Sequence, residues 1–468
     1  MVLEKFRNFV LLSNPLYFGW LLAVPYYGPV LTVAAPASVL EEHPLFLIFA
    51  VVHALTYLAG GLFLRESRIA LNLMVASLTL TILTNAALLL SHDFLWLPAM
   101  VIFGVSSSLY VMGWVSFFSL YTPNVGRLKL MAAVIIWGNV IYLVFNWLAS
   151  HLSAFDVLAL ALLPLTAAAA ILGRFKFFRF STSKKIRKVK PLLNPLIFII
   201  CLFVFVTYLN GGLMYSIIMP SIDLQIPYAF YYRYIIYILV LIVMYLFGEQ
   251  LQRYFPIYMA VSLLGIAFVS FALFSEITAG LFLTASLLEA AFAMLDLFVW
   301  VTLGSLAFLY KAPFQFFGLA LAAMLSGIGL GDYLGVYLFS IGNDYYLMTA
   351  IFASLSIFIV LLIVPWLNKQ IENILPQSLE ASTVNPVIPG QGRLGNLESH
   401  IQPGENLTPR EIEIVSLVIL GYTNNDIAAK LVVSPNTVKT HLKNIFNKFG
   451  VKKKKDLILL SSKGDEKH

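Results

Sequence analysis

The sequence predicts an all-α protein: a polytopic twelve-helix membrane bundle followed by a small C-terminal four-helix domain. Three observations predict it. The chain is 60% hydrophobic and only 11% charged, against about 25% charged residues in a soluble protein. Residues 16–367 form an almost unbroken series of apolar runs. The last sixty or so residues change composition and carry helix caps with an amphipathic period. The single Cys201, inside an apolar run, excludes a disulfide framework and argues against a Cys/His metal site.

Residues 1–15 are interrupted by charge, Asn and Pro and lack a cleavage site, so they are expected to remain as a cytoplasmic lead-in rather than a signal peptide. A membrane helix needs about 20 apolar residues. Polar breaks give twelve such runs, near 16–40, 44–64, 69–90, 95–121, 129–150, 154–173, 192–218, 228–248, 256–275, 279–309, 314–340 and 346–367. The first is long and holds Pro25, Pro29 and Pro36, and the tenth is long and rich in Gly and polar residues, so kinks are expected in both.

Lys and Arg gather in the loops after even-numbered spans: Arg65 and Arg68, Arg127 and Lys129, the stretch 174–190, Arg253 and Lys311. The loops after odd-numbered spans carry acids, His and Asn; only Arg233, at the outer end of the eighth span, departs from the pattern. The positive-inside rule then predicts a multi-pass protein with both termini in the cytoplasm. The basic segment 174–190 has eight Lys and Arg and no acid. It suits a topogenic loop beside anionic lipid, with DNA contact as the alternative.

Residues 174–191 divide the membrane part into 16–173 and 192–367, six spans each. This layout resembles the major facilitator superfamily. Its loop motif is partly kept: Gly60 and Gly61 precede Arg65 and Arg68, but Leu64 stands in the acidic slot and Ser67 in a glycine slot. After the eighth span Gly248 and Arg253 remain, with Gln252 in the acidic slot. In transporters of this family the acid helps latch the two halves. Its loss from both slots favours a receptor over a transporter.

Charges inside the membrane are costly, about 2.5–3.5 kcal/mol on insertion scales, and mark cavities or partners. Glu289 and Asp296, seven residues apart in the tenth span, share a face about 10 Å long. Asp332 lies in the eleventh span and His53 in the second. The functional reading is an acidic cavity for a ligand with a cationic or hydrogen-bond-donating group. The resembled fold lines its cavity with spans one, four, seven and ten, which implies Tyr26, Tyr27, Trp114, Tyr208, Asn210 and Tyr215 as further lining. The alternative is that the acids are neutral, or paired with helix-end donors or Arg233, and hold helices together; His53 is then a packed, hydrogen-bonded histidine.

Residues 368–406 are rich in Pro, Gly, Asn and Ser, with helical character expected only in the first turn or two. As a tether they would reach roughly 30–35 Å. The domain at 407–468 follows. Thr408 caps a helix over 409–420, with Glu411 completing a capping box. Ile412, Val415 and Leu417 or Val418 form its apolar face, and Gly421 stops it. A second helix starts at Asn424 and buries Ile427, Ala428 and Leu431. Ser434 caps a third, with Pro435 at its first position. Val438, Leu442, Ile445 and Phe449 recur at four, three and four residues and form its buried stripe, leaving Asn436, Lys439, Thr440 and Lys443 elsewhere. That is helix-turn-helix geometry. Lys452–Lys455 suit phosphate, and the apolar face of the last helix, 455–460, suits a partner copy.

The domain resembles the LuxR-type helix-turn-helix family over its whole length. The matching elements are 407–411, Gly421, 424–428, the run from Leu431 through Ser434, Thr437, Val438 and Lys439 to His441, and Asn444, Ile445, Lys448, Gly450 and Val451. The resemblance implies a homodimer on inverted half-sites of double-stranded DNA. Lys439, Thr440 and Lys443 would read bases, Thr437 and His441 would hold the backbone, and Ser434 and Asn436 would complete the contact set at the helix start. Lys453 or Lys454 takes the place of the usual Arg after Gly-Val. No receiver-like strand–helix pattern precedes the domain. The whole arrangement resembles membrane-embedded one-component regulators of anaerobic gut Actinobacteria.

The expected function is a one-component transcription regulator in which ligand sensing by the bundle controls DNA binding. The alternative is a transporter that also regulates. Nothing supports an enzyme, and no cofactor or metal is expected: there is no phosphate-cradling glycine loop, metal cluster or nucleophile–base pair.

Overall fold

The computed structural model describes residues 2–175, 195–383 and 407–457, apart from 27, 43, 91, 123–125, 226–228, 252–253, 341, 343–344, 420–423, 425–426, 429–433, 452 and 455. Among the described residues every regular element is helical. The chain divides into two units, 1–370 and 371–468.

Helix α1 spans Val2–Ala23, α2 Leu45–Phe63, α3 Ala70–Leu88, α4 Trp96–Tyr121 and α5 Arg127–Ala149. Helix α6 comprises Ala154–Leu160 and Leu162–Phe175, with a break only at Ala161. Helix α7 starts at Pro195 and continues through a π-helical turn, Met214–Ile218, to Gln225. Then come α8 Ala229–Phe247, α9 Phe255–Phe274, α10 Thr278–Tyr310, α11 Pro313–Ser340 and α12 Tyr345–Thr383. From the second onward, all eleven are long and apolar enough to cross a membrane.

Two boundaries depart from the sequence reading. The expected first span, 16–40, is not one helix. The chain forms α1, which reaches back through the expected lead-in to Val2, and then two short helices, Pro29–Ala34 and Ala37–Glu42. Pro25, Pro29 and Pro36 each lack an N–H, and Pro29 sits where a helix tolerates that, at its first turn. At the other end α12 continues to Thr383, well beyond the turn or two expected after residue 367. The basic stretch 176–190 and the rest of the tether, 384–406, lie outside the described residues.

The bundle has two halves of like design. In the first, α1 packs on α5 and α6, and α4 on α2 and α3; in the second, α7 packs on α11, and α10 on α8 and α9. The halves meet through α2 against α11 and α5 against α8. Those pairs exchange when helix numbers shift by six, as a twofold-related repeat requires.

Without water to drive apolar surfaces together, membrane helices rely on close backbone approach. Gly327, Gly331 and Gly335 recur every fourth residue on α11 and press on α7. A Cβ on Gly331 would strike the Leu209 carbonyl, and one on Gly212 the Ile328 carbonyl. The first half has close glycine contacts too, as at Gly113 against the Ala70 carbonyl, and it adds buried polar links. Trp20 Nε1 donates to Asn85 Oδ1 at 3.1 Å, and Asn85 Nδ2 donates to the Leu158 carbonyl at 3.1 Å, tying α1, α3 and α6.

In the second unit, α13 covers Pro409–Ile419 and α14 covers Pro435–Phe449. The second and fourth helices of this domain are described only around Asn424, Ile427 and Ala428, and around Lys454, Asp456 and Leu457; Gly421 and the 432–433 turn lie outside the described residues. The core joins Ile414, Val415, Val418, Ile427, Ala428, Val438, Leu442, Ile445, Phe449 and Leu457. Ile414, which the sequence reading did not name, belongs to this core, and the side chain of Ile412 lies outside the described residues. Leu457 of the last helix fills this core, and the rest of its expected apolar face, 458–460, lies outside the described residues.

Candidate functional site

Within the bundle the acids separate into two situations. Asp296 is a double acceptor: the Tyr208 hydroxyl from α7 donates to Oδ1, and the Tyr237 hydroxyl from α8 donates to Oδ2 at 2.5 Å. Glu289, two turns along α10, is 8% exposed and has no hydrogen bond among the described residues. Tyr142, Tyr215, Tyr234 and Tyr237 lie within its electrostatic range, as does Arg233. Arg233 is itself engaged, pairing with Asp223 at 3.4 Å and donating to the Met219 sulfur. The one basic residue that broke the loop pattern therefore carries its own counter-charge.

Tyr215 lies in the π-turn of α7 and is 54% exposed. Such bulges occur often at functional sites. Tyr142 of α5 meets Tyr234 of α8 edge-on at 5.0 Å, across the seam between the halves.

The other sequence candidates make contacts of their own, and Tyr26 lies within electrostatic range of Tyr215. Asn210 is fully buried; its Oδ1 accepts from Ser356 of α12 at 2.9 Å and its amide donates back into α7, which makes it a packing residue. Asp332 is half-buried on α11 beside the glycine contact with Gly212. His53 is buried, with Nδ1 at 3.1 Å from the Gly104 carbonyl and at 2.9 and 2.8 Å from the Ser107 and Ser108 hydroxyls. It stacks on Phe49 at 5.0 Å and meets Tyr57 at 4.5 Å, in the manner of a packed histidine. Tyr26 packs on Phe46 and Phe49, and Tyr27 lies outside the described residues.

Trp114 faces the opposite half near the end of the bundle that bears the even-numbered loops. It meets Trp300 of α10 at 5.8 Å, and Phe118 meets Phe317 at 6.4 Å. At the same end α2 and α11 nearly touch: a Cβ on Gly318 would come within 2.7 Å of Gly61 N and Cα. Gln315 Nε2 donates to the Leu64 carbonyl at 3.2 Å.

Arg127 corrects a second expectation. Rather than sitting on the surface of a basic loop it is buried, 1% exposed. It donates to Ser305 Oγ of α10 at 3.0 Å and to the Ser119 and Thr122 carbonyls at 3.1 and 2.9 Å, between the rings of Phe118 and Phe308.

The missing latch acid is also present at another register. Glu249, three residues before Gln252, accepts from the Gly126 amide at the start of α5 at 3.1 Å and pairs with Lys129 at 3.0 Å. A carboxylate at a helix N-terminus opposes the positive end of the dipole. So the halves are joined at this end by an acid after all, in one of the two motif loops.

In the C-terminal domain α14 presents a polar surface. Ser434 caps it, accepting from the Thr437 amide at 3.1 Å. Ser434, Asn436, Thr437, Lys439, Thr440 and Lys443 are exposed, and His441 is half-buried. Lys453 is exposed, whereas Lys454 is half-buried and its Nζ donates to Asn424 at 3.3 Å, which ties the last helix to the second.

The back of α14 is fixed by a buried ion pair. Glu411 Oε2 accepts from the Thr408 amide at 2.8 Å, completing the expected capping box, and from Lys448 Nζ at 2.9 Å. Burial opposes the Glu411 charge, but the Thr408 amide and hydroxyl and the Lys448 ammonium outweigh it and hold the carboxyl below the usual range. The contribution is therefore complete above the ordinary carboxylate value of about 4.3. It fades as pH falls through the lower folded-state value. Lys448→Met should cost the domain about 1–2 kcal/mol. Amide exchange across residues 410–419 of the full chain measures it, and an unchanged rate would remove the pair as a stabiliser.

With this geometry in place, the comparisons identify both units. Residues 405–461 match the model of the bacterial regulatory proteins of the luxR family. The chain is 37% identical over 87 residues to the oxygen regulatory protein NreC of Staphylococcus epidermidis, covering 19% of this chain. The chain spans only 39% of the length of that relative. Among solved structures, the bundle resembles a bacterial homologue of the iron transporter ferroportin in an outward-facing state, with TM-score 0.56 and 12% identity over 79% of this chain and 100% of that one. It resembles the major facilitator superfamily transporter FucP in the outward conformation with TM-score 0.56 and 12% identity, over 77% of this chain and 98% of that one. The human organic anion transporter MFSD10 gives TM-score 0.59 and 14% identity, over 76% of this chain and 99% of that one. The chain is a multi-pass membrane protein with the fold of the major facilitator superfamily, and it carries a luxR-family regulatory domain at residues 405–461.

Proposed function

We propose that this chain is a one-component transcription regulator of the bacterial inner membrane, with both termini in the cytoplasm. A small molecule enters the bundle, settles between the halves near Glu289 and biases two bundle conformations. The C-terminal domains then pair on inverted half-sites of duplex DNA, or are withheld from them. The single observation that carries this reading is the union, in one chain, of a transporter-fold bundle with a luxR-family domain. Population shift requires only that the ligand prefer one bundle state. Binding rather than catalysis is the activity. Lys439, Thr440 and Lys443 face the bases, Thr437 and His441 hold the backbone, Ser434 and Asn436 complete the contact set at the helix start, and Lys453 or Lys454 meets phosphate.

Transcript profiling of a deletion strain tests the proposal. The genes that move should move back on complementation with the native chain. A Glu289→Gln/Asp296→Asn chain should insert normally yet hold those transcripts at one level. The loss of a charge-assisted hydrogen bond at Glu289, about 1.5–3 kcal/mol, weakens ligand binding by at least tenfold. Normal regulation by the double variant would refute the acidic pocket. A second reading, transport coupled to regulation, draws support from the Glu249 latch. Sustained accumulation of labelled ligand in proteoliposomes would favour it.

A further inference from the structure

We propose that the end of α12 is a hinged output arm: Pro365 is the hinge, and Tyr254 and Tyr258, at the start of α9, form a releasable catch on Asn368. The inference rests on the regulatory role proposed above and deepens it by naming where the bundle hands on its signal.

Helix α12 runs from Tyr345 to Thr383, past the end of its membrane-length stretch at Gln370. Pro365 stands inside it. Proline has no N–H, so the Leu361 carbonyl cannot receive its helical bond from that position, and the ring crowds the same carbonyl. Interior prolines are where helices bend. Asn368 follows three residues on, about 4.5 Å along the axis, so bend and catch fall within one turn. Before the hinge α12 is tied to α7, where Ser356 donates to Asn210 at 2.9 Å. After it the tie is to α9.

That second tie is weak. The Tyr254 hydroxyl donates to the Asn368 main-chain carbonyl, and Asn368 Nδ2 donates to the Tyr258 hydroxyl, each at 3.4 Å. Typical bonds of these kinds are about 2.7–3.0 Å. Asn368 is 7% exposed, and its Oδ1 is buried with no partner among the described residues. A buried amide oxygen without a donor is unfavourable, and water would satisfy it. The closed catch therefore sets two long bonds against one orphaned acceptor. Release loses the two and lets Oδ1 reach water. A two-state element needs such near-balance, because a small bias then tips it.

The bias has a physical route from the bundle interior. Leu367, next to Asn368, is 1% exposed and lines a small apolar crevice with Phe203 and Val204 of α7 and Phe298 and Leu303 of α10. Tyr208 and Asp296 fasten those same two helices together. A shift of α7 against α10 alters the seat of Leu367 and, one residue on, the catch.

Hydrogen–deuterium exchange of the full-length protein in lipid nanodiscs, read on the amides of residues 366–372, reports the catch. Tyr254→Phe/Tyr258→Phe removes only the two hydroxyls and should speed exchange there at least fivefold. Pro365→Ala restores the missing donor and should slow it at least twofold. Unchanged exchange in the tyrosine variant overturns the catch, and unchanged exchange in Pro365→Ala overturns the hinge. If the double variant fails to insert, Tyr258→Phe alone and Pro365→Ala decide. In cells the tyrosine variant should hold the regulated transcripts at one level with native operator affinity. Normal regulation by that variant refutes the arm and leaves the regulator reading intact. A deletion strain whose transcripts do not move refutes the regulator reading, while the exchange rates still judge hinge and catch.

Discussion

Lys439→Ala is expected to lower the affinity of the full-length protein for its selected operator roughly tenfold to a hundredfold at constant salt. The direction follows from the way α14 is held. Val438, Leu442, Ile445 and Phe449 are all buried in the domain core. The helix cannot rotate about its axis without expelling them, so Lys439, Thr440 and Lys443 are fixed on the exposed side. In a helix-turn-helix the N-terminal residues of this helix reach base edges. A Lys contact to guanine O6 and N7 is worth about 1–3 kcal/mol of discrimination. The loss should therefore be sequence-selective, relaxing preference at one position of each half-site. Lys453→Ala provides the contrast: as a phosphate contact it should weaken every sequence equally and reduce the slope of log affinity against log salt by about one. Titration of operator and scrambled duplexes at several salt concentrations distinguishes the two. Equal losses on both duplexes for Lys439→Ala would remove it from the bases.

Gly318→Ala should open the even-loop end of the bundle. The added Cβ would lie 2.7 Å from the Tyr57 carbonyl as well as from Gly61, and both are backbone, so no side chain can swing aside. Relief requires α2 and α11 to separate. The Arg127–Ser305 and Glu249–Lys129 contacts join the same end and must lengthen as the halves part. Overpacking a tight interface costs about 1–3 kcal/mol. Applied to a two-state equilibrium, that is roughly a five- to hundredfold shift toward the open form. The measurement is alkylation of Ser119→Cys by a membrane-impermeant maleimide, with and without the glycine change in a Cys201→Ser background. The rate should rise at least fivefold. An unaltered rate would mean that closure does not depend on the Gly61–Gly318 approach.

Much of this was legible in the sequence, for identifiable reasons. Hydropathy located α2 through α12 because each must satisfy its own backbone hydrogen bonds in lipid, which makes apolar length a direct record of structure. The 4-3-4 spacing of Val438, Leu442, Ile445 and Phe449 fixed the face of α14, and Ser434 with Pro435 fixed its start. Glu289 and Asp296 stood out because charge in an apolar run is rare. What escaped was tertiary. Tyr237 and Tyr142 resemble ordinary interface aromatics until α8 and α5 are folded beside α10. Nothing local distinguishes Asn210, which faces Ser356, from a residue facing a cavity. Arg127 had the sequence context of a topogenic loop, and only the fold shows its guanidinium donating to Ser305. The Glu249 latch was hidden by three residues of register.

The glycine contact between α7 and α11 divides the second half into parts of unequal evolvability. Along Gly212, Gly327, Gly331 and Gly335 there is no volume to negotiate, so a mutational library spread over that seam would return mostly unassembled protein. Tyr142 of α5 and Tyr234 of α8 meet other rings rather than backbone. A side chain can repack where backbone cannot, so changes at Tyr142 and Tyr234 should be accepted before changes along that seam.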